Sequence, residues 1–271
     1  MENNITRIFA DRHQRGQKAL VGFASAGCPT PAESLDFMRA MLDGGVDILE
    51  IGIPFSDPTA DGPTIQAASQ AALAAGTRLA DVLDLTATLH RDYPHAGIVL
   101  FTYYNPVFHL GADAFAAQAK QAGADALLVV DVPYEEQGEL TPTLKRHGLD
   151  LIPLVSPATS PERARLIAAN TDSFVYYIMV RGTTGVRDHV PEDLERQLTA
   201  LRGVIDAPIA AGFGISSPQM AAEAARLADA AVIGSAFVKM QLDASLTTSQ
   251  RHAKALDLAR ACANALHKAI D

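Results

Sequence analysis

The sequence predicts an α/β fold, a (β/α)8 TIM barrel in which each of eight parallel strands precedes a helix. Short apolar runs alternate with longer segments of helical periodicity along the whole chain. Most of these runs are continuous rather than alternating, as is typical of strands that are covered on both faces. No linker-like tract divides the chain, so residues 1–271 are expected to form a single TIM-barrel domain with extra helices.

Eight apolar runs are candidate strands. They begin near Leu20, Ile48, Ile98, Ala126, Leu151, Phe174, Pro208 and Ala231. The longest gap lies between the second and third runs, which predicts extra helical structure there. The alternative fold is an open, doubly wound sheet, whose usual mark is a glycine-rich turn after the first strand. The segment Ala26-Gly27-Cys28-Pro29 at that place is no such fingerprint, so a closed barrel is favoured.

The predicted helices have clear start signals. Thr30-Pro31 combines a capping residue with a proline at the first helical position, and Glu33 suits a capping box. Ser160-Pro161 and Ser217-Pro218 repeat the combination of cap and proline. These signals place helices directly after the predicted strands or their loops.

Three similar segments indicate a repeated unit. Gly45-Val46-Asp47, Gly123-Ala124-Asp125 and Leu227-Ala228-Asp229 each end a predicted helix and lead into a strand. Glycine in the first two suits the left-handed backbone position just past a helix C-terminus. Such an internal sequence repeat is typical of a chain built from repeated strand and helix pairs.

Composition and charge exclude several classes of function. The net charge of −9, from 22 basic and 31 acidic residues, argues against nucleic acid or an anionic membrane as the main partner. Residues 1–4 show no signal peptide, and the apolar runs are far shorter than the ~20 residues that span a bilayer, so we expect a cytoplasmic protein. The two cysteines form no disulfide framework, and Cys262 lies on the apolar face of the last predicted helix. The eight histidines lack metal-ligand spacing, so we expect no metal site.

Two carboxylates near the second strand are candidates for chemistry. Strand alternation places Glu50 inside an otherwise apolar strand, where burial costs several kcal/mol unless the group is paired or protonated. A structural ion pair is the alternative, but no strand-borne lysine or arginine precedes Arg181. Glu50 is therefore predicted to be an acid/base. Asp61 lies in the following loop, where either a catalytic role or a simple turn role fits an Asp beside Gly and Pro.

Glycine-bearing turns follow the last three predicted strands. The turns at residues 212–216 and 234–236 form a candidate phosphate cradle, because glycines let backbone N–H groups approach an anion. A helix beginning near Ser235 would direct its positive end toward that anion. Residues 181–185 resemble a mobile lid. The alternative is that these glycines only permit tight turns, but three such loops at neighbouring strand ends favour a phosphorylated ligand.

Missing motifs narrow the chemistry further. None of the lysines lies at the C-terminal end of a predicted strand, which argues against a Schiff-base aldolase. The GxSxG nucleophile elbow is also absent. What remains is metal-free acid/base chemistry by carboxylates on a small phosphorylated substrate.

The residues described above resemble a known family. The run from Leu49 to Gln66, LEIGIPFSDPTADGPTIQ, closely resembles the signature of the tryptophan synthase α subunit. Further similar residues follow in order along the chain: Phe23, Tyr103, Asn105, Asp131-Val132-Pro133, Tyr176, Thr184-Gly185, Gly212 to Ser216 and Gly234 to Ala236. The resemblance implies a (β/α)8 barrel that cleaves indole-3-glycerol phosphate to indole and glyceraldehyde 3-phosphate, a retro-aldol reaction without a cofactor.

The resemblance also implies a role for each matching residue. Glu50 would protonate the indole ring and assist at the glyceryl hydroxyl, while Asp61 would hydrogen-bond the indole N–H. Tyr176 would line the site beside Glu50, and Thr184 would pair with Asp61 when the lid closes. The indole would be bordered by Phe23, Ile65 and Tyr103. The phosphate would be held by Gly185, Gly214, Gly234 and Ser235.

A protein partner is implied as well. In this family the α subunit works in an α2β2 complex and passes indole to a pyridoxal-phosphate β subunit. The corresponding partner face would include Pro54, Asp57, Asn105 and Pro133. The chain departs from the family pattern at Cys28, where aspartate is usual, and in the lid at residues 179–183. A stand-alone indole-releasing lyase and a weakly catalytic regulatory subunit that activates a β partner are the alternatives.

Overall fold

A computed structural model describes residues 3–178, 193–212 and 214–268. These residues form nine strands and twelve α-helices. The strands are β1 Ala19–Ser25, β2 Ile48–Gly52, β3 Gly97–Thr102, β4 Ala126–Val129, β5 Asp150–Leu151, β6 Leu154–Val155, β7 Val175–Ile178, β8 Ile209–Gly212 and β9 Ala230–Ile233. The helices are α1 Asn4–Gln14, α2 Pro31–Asp43, α3 Pro63–Ala74, α4 Leu79–Asp92, α5 Tyr104–Leu110, α6 Ala112–Gln121, α7 Gln137–Arg146, α8 Pro161–Ala168, α9 Leu194–Arg202, α10 Pro218–Ala225, α11 Ser235–Leu242 and α12 Thr248–Leu266.

All neighbouring strands pair in parallel, in the order β5-β4-β3-β2-β1-β9-β8-β7-β6. The two ends of this order, β5 and β6, are consecutive in the chain and are separated only by Ile152 and Pro153. The Ile152 N–H donates to the Leu127 carbonyl in β4 at 2.8 Å, and the Tyr176 N–H in β7 donates to the Pro153 carbonyl at 2.9 Å. One short segment therefore contacts both neighbours and closes the ring, which confirms the predicted barrel.

The fifth predicted strand, near Leu151, is the one that differs from expectation. It is divided into β5, which pairs with β4, and β6, which pairs with β7, and the division falls at Ile152 and Pro153. The other seven runs begin within one residue of their predicted starts. The predicted extra structure is also present, since both α3 and α4 lie between β2 and β3.

The interior of the barrel is apolar, and α1 closes its N-terminal end. Ile5 and Phe9 of α1 pack in one cluster with inward side chains such as Val21 and Val99. The ring of Phe9 lies 5.6 Å from that of Phe174. The C-terminal end of the strands is therefore the end at which a ligand can enter, as in other barrels of this kind.

The repeated Asp segments join neighbouring strands at the N-terminal end. Asp47 accepts from the Leu20 N–H at 2.8 Å, Asp125 from the Ile98 N–H at 3.0 Å, and Asp229 from the Ile209 N–H at 2.9 Å. Each carboxylate thus satisfies a backbone donor at the start of the adjacent strand. The glycines before two of them adopt positive φ, +104° at Gly45 and +90° at Gly123, as predicted.

The predicted helix caps are present, with one correction. The hydroxyls of Thr30, Ser160 and Ser217 each accept a hydrogen bond from the third residue of the helix that follows. The capping box predicted for Glu33 was wrong, because its carboxylate instead accepts from Arg251 of α12 at 2.7 Å. Cys262 is fully buried in the core, as expected.

Among the described helices, none is both long enough and apolar enough to cross a membrane.

The interstrand role of Asp125 leads to a stability prediction. Asp125 is 5% exposed, and its two carboxylate oxygens accept from the N–H groups of Ile98 and Asn4. Asp125→Ala leaves both donors without a partner, so we expect the free energy of unfolding to fall by about 2 kcal/mol. Urea denaturation measures this loss. Asp113→Ala is the matched control, since Asp113 is exposed, and an equal loss in both variants would contradict the argument.

Candidate active site

Glu50 lies in the middle of β2 and faces the barrel interior. In the strand register it is aligned with Phe23 of β1 and Val99 of β3. Its side chain is 1% exposed, and its buried Oε1 has no hydrogen-bond partner among the described residues. Glu50 therefore does not form the alternative structural ion pair with any lysine or arginine that the structure describes. Burial raises the pKa of this carboxyl to about 8. Glu50 is a neutral acid near pH 7.

Asp61 lies in the loop between β2 and α3. It does not cap α3, because Gly62 occupies the cap position. Its Oδ2 accepts a hydrogen bond from the Tyr103 hydroxyl at 2.9 Å. Burial raises the pKa of this carboxyl to about 6, and the hydrogen bond from Tyr103 opposes that rise. Near pH 7 the group is therefore mainly ionised, in contrast to Glu50.

Tyr176 on β7 lies close to both carboxyl groups. Its pKa is raised first by burial and then by the charges of Glu50 and Asp61. Its ring packs against Gly212 of β8, where an added Cβ would lie 2.7 Å from the Tyr176 hydroxyl oxygen. Three predicted site residues, Glu50, Asp61 and Tyr176, thus share one end of the barrel, and Gly212 provides the space that the phenol needs.

An apolar recess adjoins these polar groups. The rings of Phe23 and Phe101 meet edge to face at 5.1 Å, and Ile65 packs against the same cluster. Tyr103 stacks on Phe55 with ring centroids 5.1 Å apart. Phe101 was not among the predicted residues, although alternation from the inward Val99 would have placed it on the interior face.

The first turn of α11 has the features expected of an anion site. Gly234 occupies the cap position, and no side chain in the described part of the chain accepts from the first N–H groups of the helix. The helices α8 and α10 are capped by serine hydroxyls, whereas α3, α5 and α6 also begin without a side-chain cap. Gly234 lies against Phe23, since an added Cβ would be 3.5 Å from the Phe23 Cβ. The uncapped helix end therefore adjoins the apolar recess.

The remaining phosphate and lid residues are described only in part. Gly214 has a φ of +83°, which favours glycine at this turn. Thr184 and Gly185 lie outside the described residues, as does the lid segment 179–183 in which the chain departs from the family pattern.

Cys28, the other departure, is fully buried in the same cluster as Phe23. Its carbonyl accepts from the Gln241 side chain of α11 at 3.1 Å, and the same amide donates to the Ser25 carbonyl at 3.0 Å. Burial raises the pKa of the Cys28 thiol to about 11, so the thiol stays protonated. This segment is thus joined to α11 through Gln241.

The expected partner-face residues lie around the same end of the barrel. Asp57, Asn105 and Pro133 are exposed, whereas Pro54 is buried, so only its neighbours in the loop present a surface. Phe108 in α5, one turn from Asn105, is 72% exposed and was not predicted. Among the described residues, no group of three or more His, Cys, Asp or Glu side chains is arranged to hold a metal ion.

Comparison with known proteins identifies the family. The sequence profile of the family "Tryptophan synthase alpha chain" matches residues 9–269. A tryptophan synthase alpha chain from Geobacter sp. (strain M21) is 46% identical over 237 residues, which cover 88% of each chain. The corresponding chain from Aquifex aeolicus is 40% identical over 237 residues, covering 87% of this chain and 90% of the relative.

Solved structures agree with the sequence comparison. The tryptophan synthase alpha chain from Legionella pneumophila matches with a TM-score of 0.89 and 30% identity, covering 98% of both chains. A chain of Mycobacterium tuberculosis tryptophan synthase matches with a TM-score of 0.88 and 31% identity, covering 98% of this chain and 99% of that one. The chain therefore belongs to the tryptophan synthase alpha chain family.

Proposed function

We propose that this chain, acting as one barrel domain, cleaves indole-3-glycerol phosphate to indole and glyceraldehyde 3-phosphate. The observation that carries the proposal is the pairing of a buried, neutral carboxyl at Glu50 with an ionised one at Asp61. Two carboxyl groups held in opposite protonation states are the arrangement that general acid/base chemistry requires.

The roles of the two groups follow from these protonation states. Glu50 donates its proton to the ring carbon that carries the glyceryl chain, because a carbon leaving group must be protonated as its bond breaks. Asp61 accepts a hydrogen bond from the ring N–H and stabilises the positive charge that then develops on the nitrogen. The Glu50 carboxylate next removes the proton of the neighbouring glyceryl hydroxyl. The carbon–carbon bond breaks, an aldehyde forms, and the electron pair returns to the ring to give indole.

The substrate's two ends have distinct binding surfaces in this proposal. The indole occupies the recess of Phe23, Ile65, Phe101 and Tyr103, and Tyr176 lies beside Glu50. The phosphate binds at Gly214, Gly234 and Ser235, where the uncapped N–H groups of α11 and the positive end of its dipole supply the attraction. The proposed roles of Thr184 and Gly185 rest on the family resemblance.

The catalytic assignment is tested with Glu50→Gln. The amide keeps the shape of the side chain but cannot exchange the proton, so we expect kcat for indole release to fall by about three orders of magnitude or more. Absorbance of released indole measures the rate, and circular dichroism checks the fold. Glu139→Gln, at an exposed position of α7, is the control. Wild-type turnover in Glu50→Gln would overturn the assignment.

The phosphate site is tested with Ser235→Asp, which adds a negative charge to the first turn of α11. The charge favours the free helix but repels a phosphate, so we expect glycerol phosphate to bind at least about tenfold more weakly without loss of stability. Calorimetry with glycerol phosphate measures the affinity. Ser160→Asp introduces the same change at the α8 cap and should leave the affinity unchanged. Equal affinities in all three proteins would place the phosphate elsewhere.

Membership in the family implies a β-subunit partner, and we propose an α2β2 tetramer. The proposed α-subunit contact surface comprises the loop around Pro54 and Asp57, the N-terminal turn of α5 with Asn105, the exposed Phe108, and the stretch around Pro133. This surface borders the mouth of the barrel at the ends of β2, β3 and β4, where a product such as indole would emerge.

Phe108→Asp tests the partner surface. Phe108 is mostly exposed, so the change should leave the fold and the basal indole release intact while weakening binding to a tryptophan synthase β subunit by at least about tenfold. Calorimetric titration with the β subunit measures the affinity. Leu166→Asp in α8, an exposed apolar residue away from this surface, is the control. No binding of wild-type chain to a β subunit would instead favour a stand-alone lyase.

A further inference from the structure

Asp61 lies on a loop that makes few contacts with the rest of the barrel. Most residues from Ser56 to Pro63 are exposed. The Asp61 backbone is held by its own N–H, which donates to the Pro58 carbonyl at 3.1 Å, and by the Gln66 side chain, which donates to the Asp61 carbonyl at 2.9 Å. Neither contact reaches the carboxylate. The orientation of the carboxylate must therefore come from elsewhere.

Tyr103 is a buried, well-packed side chain close to this loop. Its side chain is 3% exposed and stacks on Phe55 with an angle of 29° between the rings. It directly follows β3 and precedes α5, and the N–H of the next residue, Tyr104, donates to Asp131 at 2.7 Å. The ring is thus held by its place at the end of β3 and by Phe55 at the start of the loop, and not by the segment from Ser56 to Pro63 alone.

The Tyr103 hydroxyl makes two hydrogen bonds, and their directions are determined. It lies 3.0 Å from the Ala60 N–H, which can only donate, so the hydroxyl oxygen accepts there. Its single proton is then available for Asp61 Oδ2, at 2.9 Å. Within the part of the chain that the structure describes, Asp61 Oδ1 receives no hydrogen bond, so it is left for a donor on the substrate.

We propose that Tyr103 is a positioning residue that holds Asp61 Oδ2 and the Ala60 backbone, and so directs Asp61 Oδ1 toward the N–H of the substrate's indole ring. This role rests on the proposed function and goes beyond the bordering of the indole by the Tyr103 ring. A fixed carboxylate requires little reorganisation as charge develops on the nitrogen.

The same contact favours the ionised form of Asp61. Burial raises its pKa, and the Tyr103 hydrogen bond acts in the opposite direction because it stabilises the charged form. Burial and the Asp61 charge raise the pKa of Tyr103 itself well above its usual value, so Tyr103 remains a donor throughout the working pH range. Loss of the hydroxyl should raise the pKa of Asp61 above its present value of about 6.

Tyr103→Phe is the decisive variant because it keeps the ring and its stacking but removes the hydroxyl. We expect kcat to fall roughly tenfold to 100-fold, with a smaller change in KM. The acid limb of the kcat profile should move to higher pH, because Asp61 must be ionised and now binds its proton more tightly. Steady-state indole release between pH 5 and pH 9, roughly the range in which both carboxyls titrate, measures both effects.

Two control variants separate positioning from structural support. Tyr93→Phe removes a similar tyrosine–aspartate hydrogen bond, to Asp43 at 2.8 Å on the outer surface, and should leave kcat and the profile unchanged. Gln66→Ala loosens the Asp61 backbone without touching the carboxylate. It should leave the acid limb at its wild-type pH, whatever its effect on rate.

The proposal is overturned if Tyr103→Phe retains wild-type kcat and an unshifted acid limb. It is also overturned if Tyr103→Phe and Gln66→Ala lose rate equally with no shift in either profile, since Tyr103 would then only support the loop. If the wild-type chain releases no indole, the proposed function fails instead. Carboxyl carbon NMR titration of Asp61, assigned with Asp61→Asn, then tests the contact directly, and an equal pKa in wild type and Tyr103→Phe would refute it.

Discussion

Closure of the strand ring across Asp150–Val155 is the constraint on which the site depends. Glu50 on β2 and Tyr176 on β7 are separated by three strands in the sheet order. In a flat open sheet, that separation would place them about 19 Å apart, at about 4.8 Å per strand. The hydrogen bonds on both sides of Ile152 and Pro153 curl the sheet into a ring. The two side chains then face each other across its interior.

The apolar interior keeps Glu50 protonated and also lowers the stability of the fold. The apolar inward side chains and α1 exclude water from the lower part of the barrel, so the carboxyl stays protonated up to about pH 8 instead of its usual 4.5. In the unfolded chain the same group ionises near its usual value. Between these two pH values the unfolded state therefore loses the proton and the folded state keeps it. Each rise in pH over this interval weakens folding, which is the cost of keeping an acid available near neutral pH.

Some site residues are positioned by a strand and others by a contact with a distant residue. This difference explains which of them could be predicted from the sequence. Glu50 belongs to a strand, so simple alternation was enough to place it inside. Asp61 belongs to a loop whose conformation depends on Tyr103, a residue 42 positions away in sequence. Phe108 was missed because exposure on a short helix leaves no periodic signal. The capping box at Glu33 was wrong because Arg251, from the far end of the chain, competes for the same carboxylate.

By itself, the sequence determined the strand and helix order, the helix caps, the buried carboxylate and the family, because each depends on local pattern or on a continuous motif. Only the tertiary structure decided which groups meet. The closure of the ring at Ile152 and Pro153, the uncapped end of α11 beside Phe23, and the hydrogen bond from Tyr103 to Asp61 all join residues that are distant in the chain. Periodicity records which face of an element is buried, but not what lies opposite it. The protonation states of Glu50 and Asp61 depend on those opposing groups.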